Sequence, residues 1–330
     1  MAVIDKLNFE GPYGDLCAQY ICYKRSLGYG YDIRQCYAVK KMNNYLSECY
    51  PGKICLTKKI AEDYILRRDG ETPRTQSIRE FFMRQFSIYL SSLGYEAYIL
   101  PLRKKKSTKI FTPYIFTREQ MISIIEAADQ LVYAHQAPNS YLVYPMLMRL
   151  LYGCGLRISE ALRLKMSDVD LDSGILTIEQ SKFNNSRLVT MSDSLLQCFL
   201  TYVEKMKFHI GYDGYLFPVT QNASYKPASV YNRFRSFLKV AGIEHAGRGI
   251  GPRLHDVRHT FICHALDNMV KKGVDIYCAL PILSTYMGHR TVESTEKYLR
   301  LVPAAHMDII NSLSPLYEGL FPEVCANEEI

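Results

Sequence analysis

Gly288-His289-Arg290-Thr291-Val292-Glu293-Ser294-Thr295-Glu296-Lys297-Tyr298 is the stretch on which the reading of this chain turns. It places a histidine just ahead of a short predicted helix that begins near Thr291, and a tyrosine at that helix's end. A helix start favours anions, because its first N–H groups have no internal partner. Among 26 tyrosines, Tyr298 stands out by its company. Upstream lie His255-Asp256-Val257-Arg258-His259 and, further back, Gly155-Leu156-Arg157-Ile158-Ser159-Glu160. Two arginines, several histidines and a phenol are together suited to gripping a phosphodiester, neutralising its charge and attacking it.

His255, Arg258 and His259 share one face of a predicted helix at i, i+3 and i+4. The two histidines also have the spacing of a zinc-protease motif, with aspartate in the glutamate slot. An arginine on the same face would repel a metal, and no third ligand is evident, so an anion site is the better reading. Arg157 follows two glycines at a predicted junction between helices. There a guanidinium can turn inward and hold phosphate oxygens in a fork, with Glu160 bracing it from behind.

Around these segments the C-terminal part reads as helices at about 141–152 and 159–164. Ile175-Leu176-Thr177-Ile178-Glu179 alternates like a strand and pairs with Ser186–Thr190, with Lys182 to Asn185 as the turn. Thr117-Arg118-Glu119-Gln120 is a capping box that opens a helix, so a second domain begins near 111. The N-terminal part predicts four helices, at about 16–27, 33–48, 58–67 and 75–92, the last ended by Gly94. Their aromatic stripes read as core.

Between the two parts runs Pro101-Leu102-Arg103-Lys104-Lys105-Lys106-Ser107-Thr108-Lys109, a basic linker covering about 101–110. Arg103, Lys104, Lys105 and Lys106 are candidate phosphate contacts. Residues 1–110 carry 19 lysines and arginines against 11 carboxylates, and residues 111–330 carry 21 against 22, giving the net charge of +7. This asymmetry suggests a polyanionic partner for the N-terminal part.

A length of 330 residues with 48% hydrophobic content accommodates two domains, each with its own core. No run approaches the roughly 18 apolar residues of a membrane span. The N-terminus lacks a signal-peptide pattern. The expectation is a soluble cytoplasmic protein with no membrane partner. Ten cysteines without a Cys-x-x-Cys pair read as free thiols.

The ordered segments Arg157…Lys182…His255-x-x-Arg258…His289…Tyr298 resemble the tyrosine recombinases, the phage integrase family that includes the Xer resolvases. The likeness covers about residues 112–300. Leu151–Leu164 looks like the family's first arginine box, Pro252–Thr260 like its second, and Leu283–His289 with Tyr298 like its third. The hairpin departs from the family pattern at Asn185 and Thr190, where lysine and proline are common.

The resemblance implies a mainly α protein with a small antiparallel β-sheet, in which a helical core-binding domain (1–110) precedes the catalytic domain (111–330). Both would clamp duplex DNA in a C shape. It implies that Arg157 and Arg258 hold the scissile phosphate, Lys182 protonates the leaving 5′ oxygen, and His255 serves proton transfer at the nucleophile. His289 would donate to the phosphate, Glu160 would support, and Tyr298 would form a 3′-phosphotyrosyl link. No cofactor, metal or ATP is implied. The partner is double-stranded DNA, bound by a homotetramer on paired sites, with a monomer or dimer when free. The tail 301–330, with a helix predicted at Pro303–Leu313, is a candidate for docking into a neighbouring protomer. A type IB topoisomerase and a catalytically inactive DNA-binding regulator of the same fold are the alternatives.

Overall fold

The computed structural model describes residues 7–52, 54–102, 112–179, 186–207, 209–220, 223–247 and 250–302. Lys182, Arg103 to Lys106 and the predicted tail helix lie outside these residues. The chain divides into two compact units, Met1–Ile110 and Phe111–Ile330.

The first unit holds four helices: α1 (Gly14–Ser26), α2 (Ile33–Cys49), α3 (Lys58–Ile65) and α4 (Pro73–Ser92). The starts of α2, α3 and α4 follow from polar caps. The side chains of Asp32, Thr57 and Thr72 accept from the backbone N–H groups of Arg34, Ile60 and Thr75. Gly28 and Gly94, both at positive φ, follow the ends of α1 and α4. Tyr13, Tyr20, Met42, Leu46, Leu56 and Phe86 form the centre of this unit's core, each fully buried. The aromatic stripe on α4 is split: Phe82, Phe86, Tyr89 and Leu90 are buried, whereas Ile78 and Phe81 are exposed.

The second unit begins with α5 (Arg118–Asp129), and the Thr117/Gln120 capping box is formed in both directions. α6 (Ser140–Gly153) is apolar on nearly every side and runs through the unit's main core. The short α7 (Ile158–Ala161) comes next. Three strands, β1 (Val169–Asp170), β2 (Ile175–Ile178) and β3 (Arg187–Thr190), make an antiparallel sheet in sequence order. β2 and β3 pair from Ile175↔Thr190 to Ile178↔Arg187. Leu176, Ile178 and Val189 turn inward, as the alternation requires.

α8 (Asp193–Met206) follows, then a two-stranded ladder of β4 (Pro218–Thr220) and β5 (Ala223–Ser224), and α9 (Pro227–Val240). This second ladder adds to the single sheet expected. α10 (Leu254–Lys271) and α11 (Ile276–Met287) pack on each other, and α12 is only Glu293–Glu296, shorter than the helix expected from Thr291. A second cluster in this unit joins Ile262, Cys263 and Leu266 of α10 to Leu280, Leu283 and Met287 of α11, with Tyr298 and Val302. Among the described residues no helix is long and apolar enough to cross a membrane.

Candidate active site

Glu160 is the point from which the site is built. It lies on α7 with 3% of its surface exposed. Arg157 caps that helix, and its backbone N–H donates to Glu160 Oε2 at 2.9 Å while its Nη1 donates to Oε1 at 2.6 Å. The brace expected between these two side chains is therefore present. Two further arginines join them. Arg187 of β3 donates to both Glu160 oxygens, at 3.1 and 2.9 Å. Arg258 Nη1 lies 3.7 Å from Oε2. Burial alone would raise the Glu160 pKa, but the hydrogen bonds and charge of Arg187, and then the Arg157 backbone and charge, hold it at about 2.

Arg258 ties three distant segments together. Its Nη1 donates to the Gly155 carbonyl and its Nη2 to the Met287 carbonyl, both at 2.7 Å. Burial and the neighbouring Arg157 charge both push its pKa down. Gly155 makes the first contact possible. Its φ is +60°, and a Cβ there would sit 2.3 Å from Phe261 Cδ1 on α10. Arg187 closes the ring by donating from Nε to the Tyr286 carbonyl at 2.9 Å. Sequence reading missed Arg187, because its partners are remote in the chain and a strand arginine looks like an ordinary polar-face residue.

His289 follows Gly288, the left-handed C-cap of α11. Its Nδ1 pairs with the buried Thr295 hydroxyl at 2.7 Å. Burial first, then the Arg258 and Arg157 charges, bring its pKa down to about 4. His255 is exposed to solvent as a residue. The packing around its ring and the Arg258 charge lower its pKa to about 4.

Tyr298 directly follows Lys297 at the end of the α12 turn and is 2% exposed. Burial raises its phenol to about 12, against the opposing pull of the Arg258 charge. Its hydroxyl is 2.5 Å from His259 Nδ1. The contact falls to His259 and not to His255, the residue expected to serve proton transfer at the nucleophile. The imidazole at the tyrosine is one helical turn further along α10, and His255 meets that ring edge-to-face, with centroids 4.7 Å apart. The site thus gathers Arg157, Glu160, Arg258, His289 and Tyr298, with His255 at its solvent-facing side. Lys182 lies between β2 and β3 in the sequence, outside the described residues. Among the described residues no three His, Cys, Asp or Glu side chains are grouped to hold a metal ion.

Such an arrangement can hold a tetrahedral anion against fixed cations and present a phenol to it. Comparison with known proteins agrees in kind. Residues 115–304 match the phage integrase family. A protein of Sinorhizobium fredii named as an integrase/recombinase, y4rB, is 29% identical over 272 residues, 80% of this chain and 85% of that one. The tyrosine recombinase XerA of Pyrococcus furiosus is 27% identical over 222 residues, 66% of this chain and 68% of its own length. In fold, the Tn1549 transposon integrase, solved in complex with transposon right end DNA, superposes with a TM-score of 0.60 at 16% identity, over 90% of this chain and 99% of that one.

Proposed function

Since the chain belongs to the phage integrase family of tyrosine recombinases and is a site-specific DNA recombinase, we propose that Tyr298 attacks a DNA phosphodiester held by Arg157 and Arg258. The product is a 3′-phosphotyrosyl link and a free 5′ hydroxyl. The observation that carries these assignments is the bonding of Arg258, which joins the Gly155 and Met287 carbonyls and so brings the three motif segments to one place. Attack builds negative charge on the non-bridging oxygens, and fixed guanidinium groups stabilise that charge without reorganising. The covalent link conserves the energy of the broken bond, so rejoining needs no ATP.

The remaining roles follow from the same reading. With Nδ1 engaged by Thr295, His289 has Nε2 for donation to a phosphate oxygen. Glu160 fixes the pose of Arg157. Lys182, between β2 and β3 in the sequence, protonates the leaving 5′ oxygen. The exposed His255 meets the incoming phosphate. Arg103, Lys104, Lys105 and Lys106 run along the backbone of double-stranded DNA, and four protomers assemble on paired sites. The family match does not favour the topoisomerase or the inactive-regulator alternative.

Tyr298→Phe tests the central role. It removes the nucleophilic oxygen and keeps the ring in its cluster, whereas alanine would add a cavity cost of about 3–5 kcal/mol. A nicked suicide duplex, built on a binding sequence selected from a random pool, traps the adduct. The variant is expected to bind that duplex as tightly as wild type and to form no covalent complex on a denaturing gel. Adduct at the wild-type level would remove Tyr298 from the chemistry.

A further inference from the structure

The phenol of Tyr298 is buried and must lose its proton while attacking phosphorus. A proton on a group that is 2% exposed has no direct path to bulk water. The hydroxyl's hydrogen-bond partner is Nδ1 of His259, at 2.5 Å. Both groups are held firmly. Tyr298 packs among Ile262, Cys263 and Leu266 of α10, and the two rings lie 5.5 Å apart at 37°. His259 is fixed on α10 next to Arg258, so one helix carries both the phosphate-binding guanidinium and the imidazole at the nucleophile.

We propose that His259 is the general base of strand cleavage, taking the phenolic proton on Nδ1 as Tyr298 attacks. This inference rests on the recombinase reading above and adds to it the residue that handles the nucleophile's proton. The step balances. The Oη–P bond forms and the P–O5′ bond breaks, the Oη proton passes to Nδ1, and the 5′ oxygen takes a separate proton from its own acid. In rejoining, His259 returns the proton to Oη as the phenol leaves.

Acceptance at Nδ1 requires the resting proton of the ring to be on Nε2. The ring is neutral in the free protein. Burial, followed by coupling to the neighbouring His255 ring and the charges of Lys297, Arg253 and Arg258, sets its pKa at about 3. In the Nε2–H tautomer Nδ1 presents its lone pair to the phenol. An entering phosphodiester brings negative charge beside it and raises its basicity at the moment the proton must move. His255, packed against His259 and itself exposed to solvent, gives the pair a route for re-equilibration with solvent.

The test is single-turnover adduct formation on the suicide duplex, with binding checked by gel shift. His259→Ala is expected to slow adduct formation by roughly 10²–10⁴-fold with binding retained. His259→Asn sets an amide near the Nδ1 position, where it can hydrogen-bond the phenol but not take a proton, and it is expected to be comparably slow. Replacing Tyr298 by a ring-fluorinated tyrosine, whose phenol is more acidic, is expected to restore at least part of the rate in both variants. Wild-type rates in His259→Asn would overturn the assignment. So would a loss that the fluorinated phenol leaves untouched, since His259 would then only position the ring. If wild-type protein itself forms no adduct, the recombinase reading has failed instead, and the two failures are separately visible.

Discussion

Glu160 shows how much of the site depends on a single carboxylate. Its two oxygens hold Arg157 and Arg187 directly and lie close to Arg258. Its folded pKa of about 2 lies below the ordinary value of 4.5. A depressed carboxylate contributes stability above its unfolded pKa and loses it as pH falls through the folded value. At about 1.4 kcal/mol per unit, this amounts to about 3 kcal/mol, lost between pH 4.5 and pH 2. Glu160→Gln should destabilise the fold by about 3–5 kcal/mol near neutral pH, because it leaves buried guanidinium charge uncompensated. Buried neutral histidines add their own loss as the pH falls below 6.5, so the informative quantity is the difference between variant and wild type. Urea midpoints measured from neutral pH down to about 2.5 should converge for the two proteins. A constant gap across that range would show that Glu160 is not the titrating group. The Glu160–Arg157 pair was legible from a three-residue spacing. The partnership with Arg187, 27 residues away, has no local signature. The choice between His255 and His259 at Tyr298 was also hidden, because both lie on one helical face.

Elements were legible where caps and periodicity agreed. The four N-terminal helices, the Thr117 capping box and the β2–β3 hairpin all have polar starts, glycine stops or clean alternation. α11 hides itself: Ile276–Met287 is mostly apolar, contains Pro281, and has only the adjacent Ser284 and Thr285 to break the apolar run, so no period can be read from it. α8 did carry a signal, since the Ser192 side chain accepts from the Leu195 N–H and Leu195, Phe199, Tyr202 and Met206 form the buried side. The turn between α6 and α7 gives the element-scale prediction. Gly155→Ala places a methyl group against Phe261 and forces a left-handed residue, at roughly 1–2 kcal/mol for the backbone alone. Because the Gly155 carbonyl anchors Arg258, cleavage should fall more than stability does. Gly174→Ala is the control. It carries the same left-handed strain at φ +66°, but its nearest neighbour is Leu196. Thermal melting together with adduct rates separates the two effects. Equal cleavage rates in the two variants would mean that the Arg258 anchor tolerates movement of its carbonyl.

At the scale of the whole molecule, each unit has its own core, and the charge excess sits in residues 1–110. The catalytic unit is close to neutral in sum, yet its site is crowded with cations. Three imidazoles, His255, His259 and His289, stand uncharged there because burial and the guanidinium groups of Arg157, Arg253 and Arg258 hold their pKa values at about 4, 3 and 4. The other charged groups that bear on them are Arg187, Lys297 and Asp256. A phosphodiester seated among these rings shifts every one of them upward. Raised pKa values in the complex mean that binding draws protons out of the buffer, and affinity then grows as the solution is acidified, by up to about tenfold per pH unit for each proton absorbed. Titration calorimetry near pH 6 in two buffers of different ionisation heat should give different apparent enthalpies, the gap measuring the protons taken up. Identical heats, with affinity flat between about pH 8 and pH 6, would count against it. DNA and hydrogen ions are then joint ligands of one site, and each strengthens the hold of the other.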